Sequence, residues 1–159
     1  MRYGRMPDTV PDQGSHGHDT PLERRRAFRR MVESRSAALL PGAANALSAR
    51  IIEDVGFKAV YVTGAGVTNT QLGLPDLGLV TATEIAETTA RISDVCRLPV
   101  LVDMDTGFGN ALNAYGTVQK LERAGAAAIQ IEDQVFPKKC GHFAGKAVIP
   151  IEEMLGKLK

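Results

Sequence analysis

"PVLVDMDTGFGNALNAYGTVQKLERAGAAAIQIED", Pro99 to Asp133, decides the fold. Val100 to Asp105 opens apolar and β-branched and closes on two acids, which reads as a buried strand. Asn110 then precedes a segment in which Leu112, Tyr115, Val118 and Leu121 recur at helical spacing, and Gly125 can end that helix. Ala127 to Asp133 is again an apolar strand that runs into acids. Strand, helix and strand in this order make a parallel pair with its crossover.

The same rhythm extends in both directions. Upstream of Pro99 lies a helix with Ile85, Ile92 and Val95 on one face, opened by a Thr81–Glu84 capping box. Before it, after a loop, stands a strand from Ala59 to Gly64, "AVYVTG". Before that comes a helix carrying Leu47, Ile51, Ile52 and Val55, which Gly56 can end, and a first short apolar run from Ala38 to Ala43. Downstream, Pro150 suits the first turn of a last helix. Alternating strands and helices require a parallel sheet with covering helices. Two architectures satisfy this: a doubly wound open sheet and a (β/α)8 barrel. Four units fill 159 residues, whereas a barrel takes about 250. The α/β chain is therefore either a small open sheet or part of a barrel.

Leu22 to Ser36 reads as a helix with Arg24, Arg25, Arg26, Arg29 and Arg30, and an apolar side of Leu22, Phe28, Met31 and Val32. A solvated basic face is preferred to a nucleic-acid surface, because no aromatic stacking platform follows. Met1 to Thr20 is polar, rich in Pro, Gly and Asp, and reads as a disordered tail. His16 and His18 within it do not make a closed metal site. The organisation expected is a tail over 1–20 and one domain over 21–159.

A net charge of +1 names no partner, and 44% hydrophobic with 23% charged residues is ordinary for a globular chain. Cys96 and Cys140 make no disulfide framework, which fits a reducing compartment. No apolar run approaches the roughly 20 residues that span a bilayer, and no signal-peptide core is visible. A cytoplasmic protein without membrane or nucleic-acid partners is expected.

In parallel α/β proteins function collects at the carboxyl ends of the strands. Alternation puts Asp103 and Asp105 on one strand face, Gln130 and Glu132 on one face of the next, and Tyr61 and Thr63 on one face of the strand before. Three carboxylates converging there repel one another unless compensated, and an all-oxygen set suits Mg²⁺ or Mn²⁺. Solvated acids at strand ends stand as the alternative. "GAGVTN" after Val62–Thr63 lacks the last glycine of a dinucleotide fingerprint, having Asn69 there, and reads as turns with close backbone approach. Cys140 and His142 alone do not make a zinc site. The thiol fits acid/base or nucleophilic use better: Lys138, Lys139 and His142 are expected to lower its pKa, while Gly141 and Gly145 let the loop move as a lid.

"PGAANALSARI", "VYVTGAG", "LGLPDLGL", "LVDMDTGFGN", "IEDQVFPKKCGH" and "GKAVIP", spread over Pro41 to Lys159, resemble the isocitrate lyase and phosphoenolpyruvate mutase superfamily. Within it the chain looks most like the 2-methylisocitrate and 2,3-dimethylmalate lyases. The resemblance implies a (β/α)8 TIM barrel, of which the first four β/α units are present, and a Mg²⁺ site (Mn²⁺ as a substitute). It implies Asp103 and Asp105 as metal aspartates with Glu132 in support, partly through water. It puts Thr63, Gly64, Ala65, Asp76, Lys139, Gly141 and His142 around the substrate. It makes Cys140 the acid on a mobile loop and Tyr61 the group near the reacting hydroxyl. The implied reaction is retro-aldol cleavage of a 2-hydroxy di- or tricarboxylate to a 2-oxo acid and a carboxylic acid. Alternatives within the resemblance are an oxaloacetate decarboxylase, a phosphonopyruvate or phosphoenolpyruvate mutase-type enzyme, or a non-catalytic remnant. Full-length relatives are expected to be homotetramers. Because four further strands are missing, this chain is expected to be a fragment with impaired activity and a tendency to associate.

Overall fold

Val60, Val62, Val100 and Val102 are wholly buried, whereas Tyr61, Leu101 and Asp103, which alternate with them, are only half covered. One face of the sheet is therefore sealed and the other is open. The structure, a computed structural model, describes residues 20–159. The expected tail, with His16 and His18, lies outside the described residues.

Strands β1 (Gly42–Ala43), β2 (Val60–Val62), β3 (Val100–Asp103) and β4 (Ala128–Gln130) form one sheet in the order β1-β2-β3-β4. Every neighbouring pair is parallel, with Tyr61 opposite Leu101 and Asp103 opposite Gln130. Strand order follows chain order without reversal. A doubly wound sheet turns back at a switch point; this winding is that of the first four units of a (β/α)8 barrel.

The helices are α1 (Pro21–Glu33), α2 (Ala46–Val55), α3 (Gly64–Val67, running into a π-helical turn at Thr68–Leu72), α4 (Ala82–Val95), α5 (Ala111–Arg123) and α6 (Ile151–Leu158). Ala49 and Ile52 of α2, Ile85 and Ile92 of α4, and Ala114 and Leu121 of α5 form one core with the sheet valines. The caps expected from sequence are present. Thr81 and Glu84 close a capping box, the Asn110 side chain accepts from the Leu112 and Asn113 amides, and Gly56 ends α2 at φ 96°. Among the described residues no helix is long and apolar enough to cross a membrane.

Three expectations need correction. The strands are shorter than their apolar runs; in β3 the regular strand ends at Asp103, and Asp105 has φ 46°. The segment after β2 is not a plain loop; its glycines permit a helical turn closed by the Thr63 cap. The basic face of α1 is not simply solvated, and Leu22 and Val32 are exposed instead. Arg24 donates to Ser93 O, Ser93 Oγ and Cys96 O at 3.0–3.2 Å, and Arg25 pairs with Glu122 at 2.7 Å. A guanidinium offers a fork of N–H donors to the orphan carbonyls that end α4, a need that leucine cannot meet.

Candidate active site

Gly64 is the point on which the carboxylates close. A Cβ built on it would stand 3.2 Å from Asp103 Oδ2 and 3.3 Å from Asp105 Oδ1. One small volume thus touches an oxygen of each acid, and only a residue without a side chain leaves it open. The backbone holds both acids there. Gly64 N–H donates to Asp103 Oδ2 at 3.3 Å and Asp105 N–H donates to Asp103 Oδ1 at 3.0 Å. Pairing continues past β3 and β4: Met104 N–H donates to Gln130 O at 3.0 Å and Glu132 N–H to Asp105 O at 2.8 Å. Glu132 is thereby brought alongside Asp105. Its Oε2 accepts from Gln134 Nε2 at 3.0 Å, and its Oε1 is buried with no hydrogen-bond partner.

Charge in this cluster is compensated from within the chain. Lys138 is 5% exposed and lies between Asp76, 8% exposed, and Asp105, 7% exposed. Its Nζ is 2.6 Å from Asp76 Oδ1, 2.7 Å from Asp76 Oδ2 and 2.8 Å from Asp105 Oδ1. The Asp105 oxygen has no aligned hydrogen-bond donor, so this last contact is an ion pair. Burial pushes the Asp105 carboxyl up to about 6; Lys138 opposes the rise, and the charges of Asp103 and Asp76 add to it. Burial alone would push the Lys138 ammonium down, but its close contacts with the Asp105 and Asp76 carboxylates more than offset it and hold the pKa above the ordinary lysine value. Burial, then Asp103, Asp105 and Glu132, push the Tyr61 phenol up. Tyr61 therefore keeps its proton.

The remaining sequence-predicted residues divide. Thr63 uses its hydroxyl to cap α3, accepting from Gly66 N–H at 3.2 Å, and Ala65 lies in that helical turn. Cys140 N–H donates to Asp76 O at 3.1 Å, which sets the thiol's loop against the same cluster. Lys139, Gly141 and His142 are exposed on that loop, and the structure does not bring them to the carboxylates. The expected set of three cations around the thiol is corrected. Lys138 is committed to Asp76 and Asp105, Lys139 donates to Gly145 O at 3.2 Å, and among these three only His142 reaches the sulfur, Nδ1 to Sγ at 3.4 Å. Sequence reasoning asked what compensates the acids and considered only a metal. The first lysine of "PKKC" supplies part of the answer, and two adjacent lysines gave no sign of which one turns inward. Cys96, at the end of α4, is buried at 2% exposure.

Among the described residues no three His, Cys, Asp or Glu side chains enclose an ion by themselves. The residues nonetheless fit a hard divalent cation. Two carboxylate oxygens converge, a third carboxylate has a buried free oxygen, and every donor is oxygen. Mg²⁺ typically binds through one or two carboxylates and completes its shell with water and substrate. A cavity of about 160 Å³ between α5 and β4, roofed by Arg25, is lined by none of these acids.

The family model described as phosphoenolpyruvate phosphomutase matches residues 28–159. A 2-methylisocitrate lyase of Aeropyrum pernix is 52% identical over 139 residues, 87% of this chain and 45% of that protein. The crystal structure of 2,3-dimethylmalate lyase, a member of the phosphoenolpyruvate mutase/isocitrate lyase superfamily, superposes with TM-score 0.78 at 35% identity, over 84% of this chain and 45% of that one. A phosphonopyruvate hydrolase solved with oxalate and Mg²⁺ superposes with TM-score 0.75 at 31% identity, over 85% of this chain and 46% of that one. The chain spans somewhat less than half the length of each of these proteins. Sequence match, strand order and superposition agree: this chain belongs to the phosphoenolpyruvate mutase/isocitrate lyase superfamily.

Proposed function

We propose that these four β/α units carry the metal-binding and proton-donating half of a carbon–carbon lyase acting on a 2-hydroxy di- or tricarboxylate of the methylisocitrate or dimethylmalate kind. The observation that carries this reading is the convergence of Asp103 and Asp105 on Gly64 beneath the loop that bears Cys140. The similarity to lyases named for those substrates, and to a hydrolase solved with Mg²⁺ and oxalate, supports it. Asp103 and Asp105 would hold a divalent cation, with Glu132 behind them. When bound, that ion supplies the positive charge that chelates a 2-hydroxy acid and makes its hydroxyl proton easier to lose.

The chain's own residues supply the rest. Tyr61, protonated and half-buried, donates to the substrate oxygen from which the carbonyl forms. Once the hydroxyl has given its proton to solvent, that oxygen's lone pair makes the new C=O as the carbon–carbon bond breaks, and the bonding electrons pass to the departing carboxylic fragment. Cys140 Sγ–H gives its proton to that carbon, and His142 Nδ1, beside the sulfur, is placed to return one. The loop thiol favours this lyase reading over a mutase or decarboxylase. The complete protein is proposed to be a cytoplasmic homo-oligomer, with this chain alone impaired in turnover.

The test is a Mn²⁺ titration followed by electron paramagnetic resonance, with wild type against Asp103→Asn, and then an assay for 2-oxo acid released from 2-methylisocitrate by the complete barrel. Binding that Asp103→Asn abolishes supports the reading. Equal binding by both proteins sinks it.

A further inference from the structure

The loop from Gln134 to Val148 is braced within itself. Gln134 Nε2 donates to Lys139 O at 3.0 Å, and Lys139 N–H donates back to Gln134 Oε1 at 3.1 Å. Lys139 Nζ donates to Gly145 O at 3.2 Å, and Lys146 Nζ donates to Gly141 O and Phe143 O. The ends of the loop are joined: Gln134 bridges Val148, Val135 N–H donates to Ala147 O at 2.9 Å, and Ile149 N–H to Asp133 O at 2.8 Å. Such a segment keeps its own shape and can move as a unit on its closed base.

Besides Gln134 Nε2 on Glu132 Oε2 at its base, two polar ties among the described residues hold it down over the strand ends. One is Cys140 N–H on Asp76 O at 3.1 Å. The other is Lys138, whose ammonium lies 2.6 Å from Asp76 and 2.8 Å from Asp105. This second tie is the only charged side chain that the loop buries: Lys139 and Lys146 stay exposed. A buried ion pair gains Coulomb energy but forfeits hydration, so its net strength is small beside its gross terms. Lifting the loop would return Lys138, Asp76 and Asp105 to water together. A tie of that kind holds a closed state without freezing it, as a lid over a reacting thiol needs.

We propose that Lys138 is the positioning residue of the site: its ammonium latches the Cys140 loop to Asp76 and Asp105, and so seats the thiol over the carboxylates. It acts through the loop and touches no reacting atom. The inference rests on the reading above only in taking Cys140 as the group that the lid delivers.

The two cysteines make the test internally controlled. Cys140 reports on the lid, and Cys96, 2% exposed at the end of α4, reports on the body. Wild type, Lys138→Met and Asp76→Asn are alkylated with iodoacetamide, and each cysteine is quantified by peptide mass spectrometry. Each variant cuts the latch from one side. Cys140 is expected to react roughly tenfold faster in both, as loss of a charge-assisted contact implies, while Cys96 keeps its wild-type rate. An unchanged Cys140 rate overturns the proposal. So does equal acceleration of both cysteines in both variants, which would make the triad a support of the whole fold. The Mn²⁺ titration is separate: metal binding can fail while the latch holds, and the latch can fail while metal binds.

Discussion

Asp105 is the residue in which the competing demands of the site meet. It is buried, it faces Asp103 across Gly64, and it pairs with Lys138. With its carboxyl pushed up to about 6, a proton competes with a cation for it in mildly acid solution. Mn²⁺ affinity is therefore expected to be flat above neutral pH and to fall roughly tenfold per pH unit below about 6. Calorimetric titrations at pH 5, 6 and 8 check this, and affinity that stays level down to pH 5 would contradict it. Both shifts are upward, so each group makes the fold less stable as pH rises, in its own window. A carboxyl raised from 3.8 to about 6 costs the fold stability as pH rises through that window. Lys138, raised from 10.5, contributes in full below that value and is lost as pH climbs through its folded pKa. Gly64 makes the second residue-scale prediction. In Gly64→Ala the new methyl must displace Asp103 Oδ2 or Asp105 Oδ1, which a real Cβ rarely approaches so closely. Mn²⁺ affinity is expected to drop at least about tenfold while the urea midpoint moves little, since the opposing side chains can swing away.

At the scale of elements, α1 is fastened by its arginines. Arg24 places one nitrogen against Ser93 O, Ser93 Oγ and Cys96 O, and so serves as the polar cap of α4. Arg24→Met preserves much of the stem's packing and removes the donors, leaving carbonyls at the end of α4 without that partner. We expect a loss of about 2 kcal/mol in urea unfolding, with Arg26→Met, on the exposed side, within about 0.5 kcal/mol of wild type. Equal effects at the two positions would show that the donors carry no weight. The lid works at the same scale: its internal bonds make it an element without regular secondary structure, and Lys138 and Asp76 join it to the loop before α4.

At the scale of the molecule, the sheet is sealed on one side only. Leu47, Ile51 and Val55 run exposed along α2, Ile151, Leu155 and Leu158 along α6, and Ile129 sits on the edge strand β4. Open parallel edges flanked by apolar helix stripes associate in water. The 159-residue chain by itself is expected to show concentration-dependent mass in sedimentation. Ile129→Lys together with Leu155→Lys should shift it toward the monomer, and a monodisperse wild-type monomer at all concentrations would refute the expectation.

Much of this was legible in the chain alone. The strand–helix rhythm, the Thr81 and Asn110 caps, the Gly56 stop and the acids at the ends of β3 and β4 follow from local spacing and composition. These depend on backbone sterics and on which side chains avoid water, and both act over a few residues. The resemblance of the motifs also pointed to Asp103, Asp105, Glu132 and Cys140. What the sequence could not distinguish were matters of direction at long range. Lys138 and Lys139 are neighbours of identical chemistry, yet one is buried between Asp76 and Asp105, 62 residues from Asp76 along the chain, and the other lies exposed. Arg24 and Arg26 differ in the same way. Whether a charged side chain turns inward depends on which unsatisfied carboxylates or carbonyls the finished fold brings within a few ångströms of it. The unbroken strand order, which separates a barrel's winding from a doubly wound sheet, is likewise a relation among distant segments. The sequence by itself determined the elements and the acids at their ends; only the tertiary structure decided which charges meet there, because electrostatic pairing is set by distance in space.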